Sequence, residues 1–160
     1  MTRVLALGGG VAVLDQLTKA VVLSHLAPGT HVDVVKGFVR LTLVMNPGLA
    51  FGLLAGVPVG WRWLVAVLSI AALVVLARVA LRVLPGGTWL DHVSVGFIFG
   101  GAIGNLVDRL RFGAVVDFVD LHASGYHWPA FNVADSAITA GVALLALRLL
   151  LRPAVSAGNQ

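Results

Sequence analysis

The chain has no cysteine and no glutamate, and only 11% of its 160 residues are charged. The absence of cysteine excludes disulfides, thiolate metal sites and a cysteine nucleophile. The shortage of charge excludes more, because a soluble domain keeps about a quarter of its residues charged to hold its surface in water. Basic residues outnumber acidic ones, 11 Lys and Arg against 7 Asp, for a formal net charge of +4. They form no cluster, so the electrostatic footprint of a nucleic-acid-binding protein is missing. Single cations at helix ends, facing membrane phospholipids, account for them better.

What fills the chain instead is apolar. Hydrophobic residues make up 59% of it, and the mean hydropathy is +0.98. Four apolar runs stand out, at about residues 4–26, 61–81, 89–107 and 131–151. Each matches the roughly 20 residues that a helix needs to cross a bilayer. The expectation is a polytopic α-helical membrane protein with four transmembrane helices. It forms one membrane-embedded domain over residues 1–152, with a flexible C-terminal tail at 153–160. The first run starts like a signal peptide, but it carries Asp15 and Lys19 and lacks a convincing small-residue cleavage site. It therefore reads as a retained span.

The stretch from about 30 to 54 is less apolar. Within it Phe38 to Leu43 alternates like a strand, and Asn46-Pro47-Gly48 signals a turn. A second polar stretch, Asp108 to Ala130, separates spans 3 and 4. Four spans place these two stretches on one side of the membrane, and the termini with Pro85-Gly86-Gly87 on the other. The Lys/Arg bias that orients such chains is silent here. Arg3, Arg78, Arg82, Arg148 and Arg152 fall on one side, and Lys36, Arg40, Arg62, Arg109 and Arg111 on the other.

Polar residues inside the apolar runs carry the functional signal. Asp15, Thr18 and Lys19 are spaced i, i+3, i+4 and share a face of the first span. A charge at mid-membrane costs roughly 3 kcal/mol on insertion scales. That face either satisfies itself as an Asp–Lys pair or walls a site. Asn105, Asp108 and Arg109 repeat the spacing at the end of the third span, where Gly96, Gly100 and Gly104 permit close approach of another helix. Taken alone, Asp108 and Arg109 also read as a salt bridge at a helix end. Asn132, Asp135, Ser136 and Thr139 share a face at the start of the fourth span. Asn132 fits an N-cap there with Asp135 at the third position, which leaves Asp135 facing inward without a stated partner.

Asp117 is the lone polar side chain in Val115-Val116-Asp117-Phe118-Val119. Alternation along an extended chain sends it to the face opposite Val116 and Phe118. Asp120 and His122, which follow, read as ordinary interfacial residues. If Asp117 and Asp135 converge, they cannot both ionise, so one holds a proton while the other is a base. Such a pair activates water and protonates a leaving amine, the division of labour in aspartic proteolysis. Three readings stand at this point: an aspartic peptidase, a proton-coupled carrier and a purely structural membrane protein.

The chain closely resembles the lipoprotein signal peptidases (signal peptidase II), membrane aspartyl peptidases of bacteria. The matching motifs are Asp15-Gln16-Leu17-Thr18-Lys19; Asn46-Pro47-Gly48-Leu49-Ala50-Phe51-Gly52; Gly104-Asn105-Leu106-Val107-Asp108-Arg109; Val116-Asp117-Phe118; and Phe131-Asn132-Val133-Ala134-Asp135-Ser136. They occur in the family's order. The resemblance implies that Asp117 and Asp135 are the catalytic aspartates, and that Asp15, Lys19, Asn46, Asn105, Asp108, Arg109 and Asn132 bind substrate or support the site. It implies a small extracytoplasmic β-cradle, matching residues of about 30–54. The expected reaction is cleavage of a diacylglyceryl-modified prolipoprotein immediately before its lipid-modified cysteine, with no metal or organic cofactor. The expected setting is the bacterial cytoplasmic membrane, with cytoplasmic termini, an active site near the outer face and a monomeric enzyme that takes its substrate from lipid. A transporter would more often show internal repeats or broken helices. A structural protein should tolerate Asp117→Asn.

Overall fold

A computed structural model describes residues 1–48 and 58–151. The motif residues 49–52, the end of the expected β region at 49–54 and the expected tail at 153–160 lie outside the described residues. Among the described residues, four helices are long and apolar enough to cross a membrane: α1 (Thr2–His25), α2 (Arg62–Val83), α3 (Trp89–Phe112) and α4 (Val133–Leu150). The most apolar stretch of α2 has a mean hydropathy of 2.7, against 1.3 for α3. Burial runs the other way. That stretch of α3 is 44% buried, whereas those of α1, α2 and α4 are 22%, 17% and 11% buried. The most polar helix is therefore the hub, and α1, α2 and α4 pack around it with their apolar outer faces exposed.

Local chemistry sets the helix ends. Pro28 follows α1 in the sequence and cannot continue a helix ladder. A reciprocal pair of hydrogen bonds between Thr88 and Asp91 opens α3, and Asn132 and Asp135 open α4 in the same way. α3 ends at Gly113, whose φ of 68° places it in the left-handed region that glycine tolerates. The helix thus runs to Phe112, past the expected limit near 107, and Asp108, Arg109 and Arg111 lie on helix rather than in a loop.

Glycine sets the helix spacing. A Cβ added at Gly100 would lie 2.5 Å from the carbonyl oxygen of Gly8 and 2.6 Å from Cβ of Val11, so α1 and α3 touch backbone to backbone. One added at Gly141 would lie 2.7 Å from the carbonyl oxygen of Ser94, which sets the same close approach between α3 and α4.

The two polar stretches fold together. β1 (His31–Val35), β2 (Val39–Asn46), β3 (Val115–Ala123) and β4 (Tyr126–His127) form one antiparallel sheet in that order. The β2–β3 pairing joins the loop after α1 to the loop after α3, which places both at one end of the helix bundle. The β structure therefore extends beyond the stretch of about 30–54, because strands after α3 contribute the rest of it. Val22 of α1, Leu43 of β2, and Val116 and Phe118 of β3 form the core between sheet and helices. Past β4, Phe131 pairs with Val119 and leads the chain into α4.

Candidate active site

A buried ion cluster sits where α1, α3, β3 and α4 meet. Nζ of Lys19 lies 2.8 Å from Oδ2 of Asp15, 2.8 Å from Oδ2 of Asp108 and 3.0 Å from Oδ1 of Asn105. Those three partners use all three ammonium donors. The carboxylates are equally occupied. Oδ1 of Asp15 accepts from the backbone N–H of Ala134 at 2.9 Å, and Oδ2 of Asp108 accepts from that of Val116 at 3.0 Å. Lys19, Asp15 and Asp108 are 2%, 0% and 1% exposed, so the cluster is buried. Asp108 thus pairs with Lys19 across helices and not with its neighbour Arg109. Thr18 stands apart from the cluster, since its hydroxyl donates to the carbonyls of Leu14 and Asp15 on its own helix.

Asp117 and Asp135 are held differently. Asp117 projects from β3, where Oδ2 accepts from Nδ2 of Asn46 at 2.9 Å and Oδ1 from Nδ2 of Asn132 at 2.7 Å. Asn46 lies opposite Val115 and Val44 opposite Asp117, so Asn46 reaches Asp117 diagonally on one sheet face. Asp135 stands in the first turn of α4. Its Oδ1 accepts from Nδ2 of Asn105 at 2.8 Å and its Oδ2 from the backbone N–H of Asn132 at 3.3 Å. Asn132 also donates to Oδ1 of Asn105 at 3.2 Å. An unbroken line of side-chain hydrogen bonds therefore runs from Asp117 through Asn132 and Asn105 to Asp135. Among the described residues, neutral amides and not cations hydrogen-bond the pair.

That difference has an electrostatic result. Burial pushes the Asp117 carboxyl up to about 7; the nearby Asp135 charge adds to the shift, while the Asn46 and Asn132 hydrogen bonds and the Lys19 charge oppose it. Arg109 lies within electrostatic reach of both aspartates. Its Nη1 donates to the Asn105 carbonyl at 3.3 Å and its Nη2 to the Gly48 carbonyl at 3.1 Å. Nε of Arg109 is buried and has no partner among the described residues.

The family model for signal peptidase II matches residues 8–151. The chain belongs to the signal peptidase II family. It is 41% identical over 145 residues to the lipoprotein signal peptidase of Syntrophus aciditrophicus, covering 89% of this chain and 88% of that one. It is 46% identical over 136 residues to that of Burkholderia mallei, covering 84% and 80%. A solved bacterial membrane enzyme, 28% identical, superposes with a TM-score of 0.82 over 100% of this chain and 94% of its own. A signal peptidase II is a hydrolase, and this one is built on four helices able to span a membrane.

Sequence reasoning singled out Asp15, Lys19, Asn46, Asn105, Asp108, Arg109, Asp117, Asn132 and Asp135, and the structure links all of them through the contacts above. It passed over Gln16, whose Nε2 donates to Asp108 at 2.9 Å and to the Gly104 carbonyl at 3.1 Å. The available signal was an amide side chain inside an apolar span beside Asp15. Ser136 and Thr139 do not share the inward face expected of them. Both are exposed, and the Ser136 hydroxyl donates to the Asn132 carbonyl. Asp120 is also more than an interfacial residue, because it forms a 2.7 Å ion pair with Arg40 across the β2–β3 pairing.

Proposed function

We propose that this signal peptidase II hydrolyses the peptide bond immediately before the lipid-modified cysteine of a prolipoprotein, with Asp117 and Asp135 as its catalytic pair. The observation that carries the proposal is the neutral Asn132–Asn105 bridge between two aspartates on separate elements. With one proton between them, the deprotonated carboxyl draws a proton from water as that water attacks the scissile carbonyl carbon. The protonated carboxyl then delivers its proton to the departing amine. Arg109 Nε is oriented by the contacts of its two Nη atoms and stabilises the charge that develops on the carbonyl oxygen. Asn46, Asn105 and Asn132 fix both carboxyl rotamers. Asp15, Lys19 and Asp108 hold the elements beneath them together. The reaction needs no covalent intermediate and no metal.

The substrate's diacylglyceryl group favours entry from lipid. Because both polar loops share one end of the bundle, the proposal extends to orientation: termini in the cytoplasm and the aspartates near the outer face of the cytoplasmic membrane. Residues 1–152 act in this reading as one catalytic unit and as a monomer. Single cysteines at Thr30 and Ser124 should react with an impermeant reagent from outside, and one at the unobstructed Gly86 should not. Equal labelling of Ser124 and Gly86 from one side would overturn this arrangement.

The reaction itself is tested by signal-peptide release from a diacylglyceryl-modified precursor, using purified protein in detergent. Asp117→Asn and Asp135→Asn should each fold and bind substrate but lose about a thousandfold or more in turnover. The double variant should be little worse than either single one, because the residues act as a unit. Turnover near the wild-type rate in folded protein of either single variant would remove the pair from the mechanism.

A further inference from the structure

A second cluster of ligand-type side chains stands on the sheet, built by β3 and β4. His122 and His127 are directly opposite each other in the β3–β4 register. Their rings stack with centroids 5.4 Å apart and planes 18° from parallel. Asp120 precedes His122 by two residues, so both project from the same face of β3. One donor atom from each of the three residues lies within 4.8 Å of the others. Two details separate this cluster from a chance grouping of surface residues. Nδ1 of His122 is buried with no hydrogen-bond partner among the described residues. The Asp120 carboxylate is also already oriented: Arg40 binds Oδ2 at 2.7 Å from the neighbouring strand, which leaves Oδ1 directed at Nδ1 of His127, 3.2 Å away.

We propose that Asp120, His122 and His127 form a binding site for one divalent transition-metal ion of the Zn2+ class, apart from the aspartate pair. Two imidazole nitrogens and one carboxylate oxygen are a donor set that suits Zn2+, with a fourth position left open. Bonds of about 2.0–2.2 Å in tetrahedral geometry put ligand atoms about 3.4 Å apart, so the donors close by a little over an ångström on binding. Exposed His127 can make that movement through its own side-chain torsions. The metal replaces the proton between His127 and Asp120 and gives the buried Nδ1 of His122 a partner. Arg40 remains on Oδ2, in the orienting position that outer hydrogen bonds take around metal ligands. Its positive charge works against a dication, so a moderate rather than a tight site is expected. Once bound, the ion fastens the two-residue strand β4 to β3.

The inference is independent of the assignment of the catalytic aspartates. Its test uses the full chain, purified in detergent without a polyhistidine tag and titrated with zinc chloride by calorimetry, with melting temperature followed in parallel. Wild type should bind one Zn2+ per chain and melt at a higher temperature with Zn2+ but not with Mg2+. His127→Gln and His122→Gln should each weaken binding about tenfold or more, and the double variant should lose both the binding and the melting shift. Exposed His127 makes His127→Gln the decisive variant, and without added metal it should retain wild-type folding and peptidase turnover. No one-to-one binding by wild type, or equal Zn2+ affinity in wild type and folded His127→Gln, would overturn the site. The three side chains would then be an ion pair beside a stacked histidine.

Discussion

Two sets of carboxylates lie side by side in this molecule and are satisfied in opposite ways. Asp15 and Asp108 share the Lys19 ammonium and also accept backbone N–H groups. Among the described residues, Asp117 and Asp135 receive side-chain hydrogen bonds from asparagine amides alone, and Asp135 also accepts the backbone N–H of Asn132. The first set has a cation built in and joins four elements. The second has neutral partners, and burial pushes the Asp117 carboxyl to about 7. A carboxylate with a fitted cation stays charged, whereas Asp117, hydrogen-bonded by amides, is pushed toward holding its proton near neutral pH. The like-charge pair expected from the sequence becomes physically specific through that contrast.

The contrast can be broken most forcefully from the Lys19 side. Lys19→Ala leaves Asp15 and Asp108 buried without their cation, which should cost about 3–5 kcal/mol of stability. The enzyme that still folds should nevertheless retain measurable turnover per folded molecule, unlike Asp117→Asn. Neutralising the whole set with Asp15→Asn, Lys19→Met and Asp108→Asn together should recover much of the loss, because no uncompensated charge then remains. Melting in detergent and signal-peptide release, normalised to folded protein, check both statements. Complete loss of turnover in folded Lys19→Ala protein would give the lysine a direct part in the chemistry.

A smaller effect should appear in the pH dependence of stability. Asp117 moves from an ordinary 3.8 to about 7 in the folded chain. Between those values the folded state holds a proton that the unfolded state releases. Its contribution to stability is therefore present at low pH and is lost as pH rises through about 7. Asp117→Asn removes that loss and should make the protein more stable than wild type above pH 7, by about 4 kcal/mol at most. Parallel melting curves at pH 5 and pH 8 should diverge for wild type and not for the variant. Equal pH dependence in both would remove the strained carboxyl.

The smallest effect sharpens the role of the amides. The Asn46 hydrogen bond favours charged Asp117, so Asn46→Ala should raise that carboxyl further. The alkaline limb of the turnover profile, where the pair loses its last proton, should move up by about half a unit to one unit. A limb that stays in place would mean that Asn46 serves the sheet rather than the acid.

The sequence exposed those parts whose cause is local. Four spans follow from apolar runs, the start of α4 from Asn132 with Asp135 three positions on, and Asp117 from being the lone charge among valines and phenylalanine. The Gly96, Gly100 and Gly104 spacing announced the close packing of α3. What stayed hidden depends on pairings far apart in the chain. Nothing near Asn46 shows that β2 lies beside β3, so its contact with Asp117 could not be read from spacing. Asp108 was legible as half of an ion pair, but its neighbour Arg109 was an equally good local partner. Only the glycine-mediated approach of α1 to α3 selects Lys19. Gln16 was missed for a related reason, because an amide has no charge to make its burial conspicuous.

The Asp15–Lys19 pair has a further consequence, for how the chain enters the membrane. During synthesis α1 emerges before α2, and Asp108 is made only after both. Through that interval the helix would present an isolated cation and an isolated anion to lipid, each costly there. Their spacing of one helical turn lets them neutralise each other within α1 itself. The segment can be handed to the bilayer with its two mid-span charges already paired and wait for its third partner. One side-chain contact therefore serves first as a passport for insertion and later as the clasp that α3 closes.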